Sequence, residues 1–187
     1  MGVTNRLKSF FIPVAVILVL VLGLSFYYQN HFAHHSNGHI SPVKLKLGET
    51  VPDFFVQKFS DKKQTQVSDL KFKVLIINFW ATWCQSCVVE MPSLQKLWMK
   101  YQSKGLDLMA ISVDDNPLDD IQPMLEDLKL NLPVYTGDNA MLSELFDITA
   151  IPLTVVIDKN YKIIWVQKGE DDWDSAEMHE MMNQWLK

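Results

Sequence analysis

The chain contains two cysteines, and they stand close together as Cys84-Gln85-Ser86-Cys87. This is the spacing of a redox pair. A strand ending at Trp80, a four-residue turn and then a helix would put Cys84 at the helix mouth, where free N–H groups and the helix dipole favour an anion. A thiolate is the attacking form in disulfide exchange, so Cys84 is the expected nucleophile. Cys87, one turn further in, is placed to resolve the mixed disulfide. Half of a metal site is the competing use of the pair, but beyond residue 44 only His179 remains among the histidines.

The elements that must position this pair follow from hydrophobic pattern. Lys73 to Trp80 holds the run Val-Leu-Ile-Ile-Asn-Phe-Trp, a continuous β-rich stretch of the kind covered on both faces. Residues 85 to 103 place Val88, Met91, Leu94, Leu97, Trp98 and Tyr101 at three- and four-residue steps, with Gly105 just beyond, which predicts a helix kinked at Pro92. Upstream, Leu45 to Phe59 with the polar Ser60 to Lys63 suggests a short hairpin. Downstream, the pattern alternates: strand Leu106–Val113, helix Leu118–Leu128, strand Leu132–Tyr135, helix Asn139–Phe146. Pro123 argues for moving the second helix start to Ile121 or later. Leu153–Ile157 and Ile163–Val166 form a hairpin through Asp158 to Tyr161, and Trp173–Trp185 closes the chain as a helix. The sum is a three-layer α/β domain whose sheet is parallel in its middle, with an antiparallel hairpin at one edge.

Before that domain the sequence changes character. No Asp, Glu, Lys or Arg occurs from Ser9 to Val43. The nineteen residues from Phe10 to Tyr28 make a helix of about 28 Å, close to the roughly 30 Å of bilayer hydrocarbon. Arg6 and Lys8 favour a cytoplasmic N-terminus, and Phe26, Tyr27 and Tyr28 supply interfacial aromatics at the far end. The expected organisation is a cytoplasmic end over 1–9, an uncleaved anchor over 10–28, a linker over 29–44 and a domain over 45–187 outside the cytoplasm. No Ala-x-Ala type site follows the apolar run to mark a cleaved signal. The linker carries His31, His34, His35 and His39, read as a solvated tether, with copper or zinc binding as the alternative. Of 187 residues, 48% are hydrophobic and 21% charged, a globular composition. All 22 acidic residues lie after the apolar run, so the domain is acidic and nucleic acid is excluded as an expected partner.

Trp83-Cys84-Gln85-Ser86-Cys87 after Asn78-Phe79-Trp80-Ala81-Thr82 resembles a thioredoxin-fold active site, and within that superfamily the membrane-anchored TlpA/ResA group, which includes CcmG/DsbE-like proteins. Gly48-Glu49 with Val51-Pro52-Asp53-Phe54 resembles that group's entry segment, and Glu90-Met91-Pro92 its helix signature. The resemblance implies a thioredoxin-like three-layer α/β/α sandwich with a mixed central sheet, preceded by one transmembrane helix. Pro152 matches the superfamily's cis-proline, so Ile151 and Pro152 are expected at the substrate site, with Trp83 as a rim or floor for a partner peptide. The segment between Pro92 and Pro152 leaves room for the group's extra helix and strand. Thioredoxins proper carry a buried Asp where this chain has Asn78, so Asn78 cannot accept a proton. Glu90, three residues after Cys87 on the same helix face, is the expected substitute.

The function implied is an anchored periplasmic thiol-disulfide oxidoreductase without a cofactor. It would reduce apocytochrome c before haem attachment, or copper-site cysteines during oxidase assembly, with electrons from a membrane carrier of the CcdA or DsbD kind. Two rivals remain: a copper chaperone using both thiols with a histidine, and a thiol peroxidase, against which the Trp-Cys-x-x-Cys pattern argues.

Overall fold

The computed structural model describes residues 21–24, 42–43, 45–115 and 117–187. Residues 21–24 are helical. Among the described residues no helix is long and apolar enough to cross a membrane. Apart from those four, residues 10–28 lie outside the described residues, as do the four linker histidines. The sheet, its covering helices and the cysteine pair all belong to the compact unit Ser41–Lys187.

Seven strands form one mixed sheet: β1 (Phe55–Lys58), β2 (Gln64–Gln66), β3 (Val74–Trp80), β4 (Leu106–Ser112), β5 (Val134–Thr136), β6 (Leu153–Asp158) and β7 (Ile163–Lys168), in the order β2-β1-β5-β4-β3-β6-β7. β4 runs parallel to both β3 and β5. The remaining pairs are antiparallel, so a hairpin closes the sheet at each edge rather than at one. The N-terminal hairpin accounts for the difference, because β1 pairs with β5 and extends the parallel core on its outer side.

β3 is buried at all seven positions, and its side chains alternate between two cores. Val74, Ile76 and Trp80 face a cluster with Met91, Leu94 and Leu97 of α1 (Gln85–Tyr101), Ile121 of α2 (Pro117–Asp127), and Met178 and Met182 of α4 (Ala176–Trp185). Leu75, Ile77 and Phe79 face the other side, where Leu142, Leu145 and Phe146 of α3 (Asn139–Phe146) cover the sheet. There Phe146 meets Phe79 at 4.8 Å and Phe54 at 5.3 Å between ring centroids. Burying a side chain of that size contributes roughly 1.5–3 kcal/mol. The layers are therefore helices, sheet and helix, as the resemblance implies.

Several predicted boundaries move, three of them at a proline or a cap. α2 begins at Pro117, not at Ile121 or later, because Pro117 presets the first turn and lacks an N–H that would have no partner there, while the helix accommodates Pro123. α4 begins at Ala176, not Trp173, because Ser175 caps it, its Oγ accepting from the Met178 N–H, and Trp173 is drawn into the core ahead of the cap. β5 starts at Val134, directly after Pro133. α1 continues through Pro92 to Tyr101 and ends in a 3-10 turn at Gly105, whose φ of 107° suits glycine and whose missing Cβ leaves room for the Lys73 side chain.

Candidate active site

The reactive turn lies where β3 ends. Asp114, almost fully buried just after β4, holds it: both carboxylate oxygens accept from the Thr82 N–H at 3.1 Å, Oδ1 accepts from Thr82 Oγ1 at 2.7 Å, and Oδ2 accepts from Ser112 Oγ at 2.7 Å. Asn139 Nδ2 donates to the Val113 and Asp114 carbonyls and so ties α3 to the same loop. The turn therefore leaves the sheet on a fixed path.

Cys84 is the N-cap of α1, and its Sγ accepts from the Cys87 N–H at 3.3 Å. A backbone donor thus points at this sulfur, as the expected anion site requires. Cys84 and Cys87 form a disulfide, with Cα atoms 5.3 Å apart. Cys84 is 7% exposed and Cys87 fully buried, so an incoming group meets Cys84 first.

A cleft of about 600 Å³ opens over Cys84, with Trp83, Val89, Ala150 and Ile151 among its walls and Glu170 as its one charged side chain. The two tryptophans separate here: Trp80 is core, whereas Trp83 is 71% exposed. The Ile151-Pro152 bond is cis, and the Ile151 carbonyl oxygen lies 3.8 Å from Cys84 Sγ. A disulfide sulfur has no proton, so this approach is a contact; a Cys84 thiol could donate across it. Ile151 lines the cleft, while Pro152 is buried, with its carbonyl accepting from the Gly169 N–H at 2.9 Å.

Behind the pair lies Glu90, 2% exposed. Its Oε1 accepts from Asn78 Nδ2 at 2.8 Å, and its Oε2 from Trp173 Nε1 at 3.1 Å and the Asp171 N–H at 3.2 Å. Asn78 Nδ2 also donates to Thr154 Oγ1 at 2.8 Å, and the β3–β6 register sets these two residues opposite each other. Burial pushes the Glu90 carboxyl above the ordinary carboxylate range, against the pull of the three donors. Glu90 is therefore no surface carboxylate. Pattern alone does not single out Thr154 or Trp173. Trp173 reads as a first helical residue, and the signal against that reading is Ser175, a better cap two positions later.

A buried sulfur paired with one at the surface, beside a cleft able to receive a peptide, passes a disulfide between the chain and an outside partner. The molecule is a thiol-disulfide oxidoreductase of thioredoxin fold. It belongs to the Redoxin family, whose model matches residues 46–184. The thiol-disulfide oxidoreductase ResA of Oceanobacillus iheyensis is 31% identical over 93% of this chain and 91% of its own length. ResA of Bacillus subtilis is 25% identical over 96% and 94%. In fold, the chain is similar to a candidate thiol:disulfide interchange protein DsbE from Chlorobium tepidum, with TM-score 0.68, 23% identity, and coverage of 77% of this chain and all of that one.

Proposed function

We propose that this protein is an anchored reductant outside the cytoplasm, with residues 10–28 as its single membrane span. The observation that carries the reductive reading is the asymmetry of the pair, Cys84 at the cleft and Cys87 buried, with the buried Glu90 three residues further along the same helix. The Cys84 thiolate attacks a substrate disulfide, forming a bond to one substrate sulfur while the other leaves as a thiolate. Cys87 then gives its proton to the Glu90 carboxylate and attacks Cys84 Sγ, releasing the second substrate sulfur as a thiolate; solvent protonates both substrate sulfurs, and Glu90 returns its proton to solvent. The substrate gains two electrons and two protons, and the chain is left with the Cys84–Cys87 disulfide.

Apocytochrome c and the copper-site cysteines of an oxidase are the substrates that fit this chemistry. A membrane electron carrier of the CcdA or DsbD kind restores the dithiol, since free thiols outside the cytoplasm are oxidised. Support comes from the charge pattern of the N-terminal segment and from similarity to ResA over nearly the whole length.

The test is the full chain carrying Cys87→Ser in its native membrane, which freezes the mixed disulfide on Cys84. Capture of a cytochrome c or copper-site polypeptide is expected. An empty Cys84, together with a wild-type pair that stays fully oxidised in cells, overturns the reading.

A further inference from the structure

The cleft above Cys84 has one charged side chain, Glu170, and the backbone on either side of that residue is anchored. Gly169, with φ of 84°, donates its N–H to the Pro152 carbonyl at 2.9 Å. Two residues on, the Asp171 N–H donates to Glu90 Oε2 at 3.2 Å. Glu170 sits between these anchors, exposed, and lines the cleft together with Cys84. An adjoining cleft shares Glu170 and Val89 and is walled further by Asp171 and Asp172. Among the described residues, the ion pairs on this acidic run fall on Asp174, with Lys96 and His179, and none falls on Glu170. A negative charge carried on an anchored stretch of backbone thus faces whatever binds beside the reactive sulfur, and among the described residues no cation pairs with it.

The geometry points to Glu170 as a specificity-determining residue that selects disulfide-bearing segments with Lys or Arg next to the attacked cysteine. The apolar walls of Trp83, Val89 and Ile151 take the neighbouring side chains, and Glu170 with Asp171 and Asp172 takes the cation. This rests on the reading of the cleft as a disulfide-reducing site and names the class of polypeptide it accepts. A solvent-exposed charge pair supplies a small bias, of about twofold per interaction. Attraction for Lys and repulsion for Glu add in free energy, giving about a fourfold preference that salt weakens.

The test uses the reduced full-chain protein and three peptides with one internal disulfide, identical but for Lys, Gln or Glu beside the attacked cysteine. Each rate is divided by the rate of the same peptide with a small neutral dithiol, which removes the peptide's own reactivity. The wild type should prefer Lys over Gln over Glu at low salt, Glu170→Gln should compress the series, and Glu170→Lys should invert it. Because the preference is a ratio within one variant, changes in Cys84 reactivity cancel. Asp61→Lys makes the same change in net charge in the turn between β1 and β2, at the far edge and opposite end of the sheet, and should leave the order intact. Equal wild-type rates, or an order that survives Glu170→Lys, overturn the inference. Failure to reduce any of the three peptides would instead count against the reductase reading itself.

Discussion

Trp173 Nε1 donates to Glu90 Oε2 at 3.1 Å, joining the segment before the last helix to a carboxyl behind the reactive cysteines. The bond has a thermodynamic consequence that can be measured. Trp173 is fully buried, so Trp173→Phe keeps most of the packing but removes one donor to a charged acceptor, at a cost of about 1.5–3 kcal/mol when Glu90 is ionised. The Glu90 carboxyl is raised chiefly by burial, and Trp173 is the largest influence lowering it, so the variant raises it further. A raised carboxyl contributes stability that is present below its unfolded pKa and lost as pH rises through the folded value. The penalty of Trp173→Phe should therefore grow between pH 4 and pH 8. Urea unfolding at the two pH values checks this, and an equal penalty at both would leave only lost packing.

Glu90→Gln removes the charge that burial opposes. Its amide nitrogen needs an acceptor, and Asn78 Oδ1, buried without a partner, supplies one if the Asn78 amide turns over. The variant should fold, gain stability relative to wild type as pH rises from 4 to 8, and close its disulfide from a mixed disulfide at least tenfold more slowly. Stopped-flow mixing follows that closure. Unchanged closure with the stability effect intact would make Glu90 structural only.

Burial predicts unequal labelling of the two thiols. In the reduced protein, iodoacetamide should modify Cys84 within minutes and leave Cys87 untouched until denaturant is added, because Cys87 has no exposed surface. Mass spectrometry of timed digests reads both sites. Cys84→Ser should abolish turnover and leave a single slow thiol.

Trp80 and Trp83, three residues apart, should respond in opposite ways to alanine. Trp80→Ala empties a core position and should cost about 3–5 kcal/mol in chemical unfolding. Trp83→Ala should change stability by no more than about 0.5 kcal/mol while raising KM for a peptide disulfide several-fold. A destabilised Trp83→Ala protein would contradict its place on the cleft rim.

Much of the fold is readable one element at a time. β3 and α1 announce themselves because each has one period and a defined stop, and α3 is bounded to the residue, since Asp138 caps it and Asp147 takes the left-handed turn at its end. The reactive cysteines are legible for the same reason: their relation is local, one turn of helix. What pattern cannot supply is contact between distant segments. Asn78 meets Thr154 through strand register, and Glu90 meets Trp173 across 83 positions of chain. Strand periodicity at Phe55–Lys58 likewise says nothing of which edge the hairpin joins; its pairing with β5 decides that. Pro123 misleads because the rule confining proline to a first turn weighs one lost hydrogen bond and ignores the packing of Ile121, fully buried in the same helix.

The tie between Glu90 and residues 171–173 also means that the redox centre is finished by amino acids synthesised well after both cysteines. A nascent polypeptide broken off before Asp171 would carry both sulfurs and the whole sheet, yet two of the three donors to its acid would be missing. Chemistry at the sulfurs is thereby linked to the arrival of residues 171–173.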